Sequence, residues 1–146
     1  FEMAELRMDQ ANSQCIAIVM PKEYNQHVLC AQLRLLIEEE VLHDTIIVFR
    51  STGTWLYTSA FLLSLVSPVF HRTLCGHFKE GSSKRLELDS VSEPLFRKVM
   101  LLACGEEGVT AADLDELLQL AALADRFGIP DVRDAAERAA EGRITA

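Results

Sequence analysis

The chain has 146 residues, of which 49% are hydrophobic, and its 22 acidic against 14 basic side chains leave a formal net charge of -8. That length and apolar content suffice to bury one core without disulfides or metal, so a single domain is expected. The charge and a pI near 4.9 oppose nonspecific binding to nucleic acid or to an anionic membrane surface, since both need clustered Lys or Arg.

Residues 1–12 read as a flexible tail and residues 13–146 as the domain. The opening Phe1-Glu-Met-Ala is expected to include residues added for expression, because a natural chain starts with Met. Residues 15–20 (CIAIVM) form an apolar run between Gln14 and Pro21, too short for a helix and therefore a strand. Residues 23–40 form a long helix. Its apolar side chains, Val28, Leu29, Leu33, Leu35, Leu36 and Ile37, cover a wider arc than one core-facing stripe requires. Two explanations fit: packing between two elements of its own domain, or a surface shared with a second chain.

Residues 44–49 (DTIIVF) are β-branched and aromatic, as in a mostly buried strand, and Trp55-Leu-Tyr returns as a second strand after a break at Gly53. Ser59 can cap the apolar helix 60–66. Ser67 then caps a further helix, 68–74, with Pro68 in its first turn and Gly76 closing it. Residues 85–89 alternate like a half-exposed strand, and Ser92-Glu-Pro opens the next helix. Residues 103–108 break it. Thr110-Ala-Ala-Asp113 has the form of a capping box before a helix that Gly128 stops, and Pro130 begins a last, Ala-rich helix to about residue 141.

The residues argue against chemistry. His71, Cys75 and His77 are the tightest metal-like cluster, but structural zinc sites take paired ligands from two separated segments, so no metal is expected. No set of nucleophile, base, orienting acid and oxyanion loop stands out, and the glycines are spread among turns rather than gathered in a phosphate loop. The expectation is a protein that is not an enzyme, with no catalytic residues and no cofactor. Cys15, Cys30, Cys75 and Cys104 lie far apart, which fits a reducing compartment. No run reaches the roughly 18 apolar residues of a membrane span, and the N-terminus lacks the pattern of a signal peptide. The chain reads as soluble and intracellular, in cytoplasm, nucleus or both.

The order of these elements, with Ser67-Pro-Val-Phe70 matching a common Ser-Pro-x-Phe signature, resembles the BTB/POZ domain over residues 26–141. The resemblance implies an α+β fold, a helical cluster flanked by a small mixed β-sheet, and a protein–protein interaction module. The N-terminal strand and helix are similar to the extension of dimer-forming BTB domains. They imply a homodimer with Leu29, Leu33, Leu36 and Ile37 at its contact. In such dimers the added strand often crosses to a short strand of the partner, here at residues 106–109, where Glu107 and Gly108 are poor strand formers.

Two partner classes follow from the resemblance. Phe78-Lys79-Glu80 falls where cullin-recruiting BTB proteins carry a hydrophobic-x-Glu motif, and Phe78 is either an exposed anchor or a core residue. Repressor-type BTB domains have a charged pocket formed by an Asp at position 44 and a His-Arg pair where Ser59 and Ala60 stand here. The pocket's basic half is missing, so Asp44 is left either to cap a strand end or to accept local hydrogen bonds beside a turn. The expected function is a homodimeric adaptor that docks a cullin scaffold for ubiquitin ligation; the alternative is the dimerisation domain of a transcription regulator that recruits corepressor peptides. Whether the full-length protein continues into kelch-like repeats or zinc fingers separates them.

Overall fold

A computed structural model describes residues 15–25, 37, 39–75 and 84–145. Strand β1 (Ile16–Ala17) leads to a helical turn α1 (Lys22–Asn25), and a 3-10 turn (Glu40–Leu42) precedes the hairpin of β2 (Thr45–Phe49) and β3 (Thr54–Thr58). Helices α2 (Ala60–Val66) and α3 (Pro68–Cys75) follow, then β4 (Arg85–Leu88), α4 (Glu93–Ala103), β5 (Thr110–Ala111), α5 (Leu114–Arg126) and α6 (Pro130–Thr145). The central sheet has the order β3-β2-β4, with β2 antiparallel to β3 and parallel to β4. The fold is α+β.

The central sheet divides its faces by the strand period of two. Thr45, Ile47 and Phe49 are buried, while Ile46 and Val48 between them are half-buried. In the ladder, Ile46 sits between Tyr57 and Arg85, and Val48 between Trp55 and Glu87. The inner face closes on four phenylalanines drawn from β2, α3, α4 and the end of α5. Phe49, Phe70, Phe96 and Phe127 are all nearly inaccessible, with Phe70 and Phe127 ring centroids 4.6 Å apart and Phe96 edge-on to the other three. Edge-to-face contact adds to the burial of each ring.

One buried hydroxyl joins three helices to this cluster. Ser67 Oγ accepts the Phe70 N–H at 3.2 Å, which caps α3, and donates to the Phe127 carbonyl at 2.6 Å, which would otherwise be an orphan at the end of α5. This double use is a physical reason for Ser before Pro-x-Phe. The α5–α6 joint packs on the same spot: Gly128 has φ +70, and its N–H and that of Ile129 close the last turn on Asp125 and Ala124, a glycine-terminated helix end. A Cβ on Gly128 would lie 3.0 Å from the Pro68 ring. Gly105 (φ +79) ends α4 in the same way, with Glu106 N–H bonded to the Leu101 carbonyl.

Four details differ from the sequence reading. The helix expected over residues 23–40 does not reach its expected end, since Glu39 is extended (φ -82, ψ 97) and Glu40–Leu42 is a 3-10 turn. The first strand is hydrogen-bonded in a ladder only at Ile16–Ala17, against Ala111 and Thr110 of β5, although buried Ile18 and Met20 continue its alternation. The strand it meets lies at Thr110–Ala111, not at residues 106–109, because Gly108 turns the chain at φ +82 and only beyond it does the Val109 carbonyl receive the Ile18 N–H. The capping box is also three residues later than Thr110: Asp113 accepts the Glu116 N–H at 2.8 Å, and Glu116 reaches back to the Ala112 N–H at 2.9 Å. Thr110 is committed to β5, which leaves the next hydrogen-bonding side chain to cap.

Candidate protein-binding site

Asp44 and Ser59, far apart in the hairpin's sequence, meet at the N-terminus of α2. The ladder places Thr45 opposite Thr58, so the residue before one strand and the residue after the other are neighbours. Asp44 Oδ1 accepts the Ala60 N–H at 2.9 Å and the Thr45 hydroxyl at 3.0 Å, while Ser59 Oγ accepts the Leu62 N–H at 3.3 Å. Burial pushes the Asp44 carboxyl up, but the Ala60 N–H, the Thr45 hydroxyl and the charge of Lys84 outweigh it and hold the group below its ordinary value. Two side chains thus satisfy two N–H groups of one helix start. Asp44 accepts local hydrogen bonds, and Lys84 stands near enough for its charge to act on it.

Ile37 is half-buried and packs on the domain's own core, beside Leu56, Leu62 and Met100 in a small cleft. The other three residues expected at a dimer contact, Leu29, Leu33 and Leu36, lie outside the described residues. So do Phe78, Lys79 and Glu80, Gly76 and His77. On either side of them, α3 ends at an exposed Cys75 and β4 starts at Arg85. His71 is also exposed. Among the described residues no three His, Cys, Asp or Glu side chains are grouped to hold a metal ion, and no helix is long and apolar enough to cross a membrane.

The structure also exposes aromatic area that the sequence reading did not single out. Trp55 and Tyr57 are each 59% accessible and flank the half-buried Ile46 and Val48 on the outer face of the sheet. On α2, Phe61 (62%) and Leu65 (47%) are four residues apart and so share one helix face. The alternation of Trp55 and Tyr57 was the available signal for the sheet face. For α2 there was none, since a seven-residue apolar helix has no visible polar side.

The sequence model described as "BTB/POZ domain" matches residues 33–143. No curated protein sequence gives a match. Among solved structures the chain is similar to the BTB domain of zebrafish PATZ1, with a TM-score of 0.59 and 15% identity over 85% of this chain and 98% of that one. It is also similar to the BTB (Tramtrack and Bric a brac) domain of human gigaxonin, with a TM-score of 0.58 and 19% identity over 74% of this chain and 89% of that one. At such identities the likeness shows the fold, which agrees with the family match over three quarters of the sequence. The chain belongs to the BTB/POZ family, a protein-interaction fold.

Proposed function

We propose that this domain is a homodimerising adaptor that docks a cullin scaffold for ubiquitin ligation. The observation that carries the choice over corepressor recruitment is the engagement of Asp44. Its carboxylate already serves the Ala60 N–H and the Thr45 hydroxyl, and Ser59 faces the helix backbone as its cap, so the hydrogen-bonding capacity of this corner is turned into the fold, with the charge of Lys84 near Asp44. Homodimerisation is supported by the apolar arc of residues 23–40 in the sequence and by the exposed Phe61 and Leu65 on α2. Cullin docking is assigned to Phe78, with Lys79 and Glu80 beside it.

Sedimentation equilibrium and titration calorimetry against a purified cullin N-terminal domain test the two halves separately. The unaltered protein is expected to be a dimer at micromolar concentration, and Leu33→Glu to give a monomer. Phe78→Ala should weaken cullin binding by ~2 kcal/mol or more with the fold intact, as truncation of an interface anchor does, while Glu80→Ala should weaken it less, as a rim charge does. A loss of about 3 to 5 kcal/mol of stability in Phe78→Ala would instead mark the ring as core. Absence of cullin binding by the unaltered dimer, tested with any natural C-terminal extension included, would turn the assignment to corepressor peptides.

A further inference from the structure

We propose that the groove between β4, α3 and the end of α5 receives an acidic segment of a partner protein, whose carboxylates are held by Arg50, Arg85 and Arg126. The groove has a volume of about 450 Å³, which is within the range of specific ligand clefts and too large for a single small anion. Three of the chain's 14 basic side chains converge there although its net charge is -8. Half-buried Val69 and Thr73 form part of its wall, so a segment carrying an apolar side chain beside its acids fits better than a purely anionic one.

The groove already holds two carboxylates of its own, Glu87 and Asp89. Glu87 bonds to Arg50 and is 3.4 Å from Arg85, while Arg50 also reaches Asp89 at 3.7 Å. Arg50 holds the Glu87 carboxyl below its ordinary value. Arg126 is placed differently. It donates to the Asp89 backbone carbonyl at 3.2 Å and lies 5.8 Å from the centroid of the Phe127 ring, and among the described residues no carboxylate pairs with it. A guanidinium has five N–H donors in a planar fork suited to carboxylate, so Arg126 keeps capacity for an incoming acid. The Arg50, Arg85 and Glu87 side chains are all well exposed, and such pairs are individually weak. A partner's carboxylate can therefore take the place of Glu87 at small cost. None of these residues is Phe78, Lys79 or Glu80, so the proposal stands or falls apart from the cullin reading.

The test is fluorescence anisotropy of the full 146-residue chain with three fluorescein-labelled probes: a peptide of alternating Glu and Leu, a Gln-and-Leu control, and a single-stranded oligonucleotide. The acidic peptide is expected to bind at least about tenfold more tightly than the control and to weaken as salt is raised. Arg85→Gln combined with Arg126→Gln should reduce that affinity about tenfold or more. Glu87→Gln, which removes the internal competitor paired with both Arg50 and Arg85, should raise it, a gain that general disturbance of the fold does not produce. Equal binding of the Gln peptide, tighter binding of the oligonucleotide, or an affinity unchanged in both variants would overturn the proposal.

Discussion

Aromatic residues occupy two regions of this domain under opposite conditions. Phe49, Phe70, Phe96 and Phe127 meet ring to ring inside, while Trp55, Tyr57 and Phe61 leave more than half of their surface open. The inner set is specified by elements distant in sequence, from β2 to the end of α5, and Phe96 is the ring that meets the other three. The outer set stands on the hairpin and on α2, with most of each ring facing away from the core. A large ring is thus a measure of fold in one place and of available contact area in the other. Truncation should separate the two.

The largest expected effect is in the interior. Phe96→Ala removes the ring that touches the other three and should lower the free energy of unfolding by about 3 to 5 kcal/mol, measured by urea denaturation. Ser67→Ala comes next. It deletes the α3 cap and leaves the Phe127 carbonyl buried without its donor, an expected loss of about 1 to 3 kcal/mol by the same measurement. A value near zero would mean that the hydroxyl between α3 and α5 contributes little beyond filling space.

On the outer surface the effect on stability should be small and the effect on association large. Phe61→Ser is expected to change unfolding free energy by no more than about 0.5 kcal/mol while shifting sedimentation equilibrium toward monomer, if α2 belongs to the dimer contact. Unaltered self-association would remove α2 from it and leave the apolar side chains of residues 28–37 as the expected contact.

The smallest effect concerns acid. Burial raises the Glu116 carboxyl, but the Lys98 ammonium and the Ala112 N–H outweigh that and hold it below its ordinary value. A carboxyl that is more acidic when folded stabilises the protein above its unfolded-state pKa, and the contribution fades as pH falls through the lower folded value. Glu116→Gln keeps an acceptor for Ala112 and loses the charge. It should cost less than about 1 kcal/mol near neutrality, as expected of an accessible pair, and should flatten the decline in melting temperature below the usual carboxylate range.

Local residue chemistry made most of the elements legible in the sequence. Ser59, Ser67 and Ser92 cap the helices they precede, Gly53 and Gly128 take positive φ where the chain turns, and Arg85–Leu88 alternates as its sequence does. These are interactions over three or four residues, which sequence order alone contains. The family resemblance was equally legible, because it rests on the order of such elements. What sequence could not contain was which distant groups share an environment. The Phe127 carbonyl needs a donor from 60 residues away, Asp44 meets Ala60 only once the hairpin closes, and β1 finds β5 where the turn at Gly108 releases the chain. Arg50, Arg85 and Arg126 are separate surface charges in the sequence and line one groove in the fold. Caps and turns are decided by neighbours along the chain, whereas burial, long-range hydrogen bonds and grooves are decided by packing, which exists only when the elements have met.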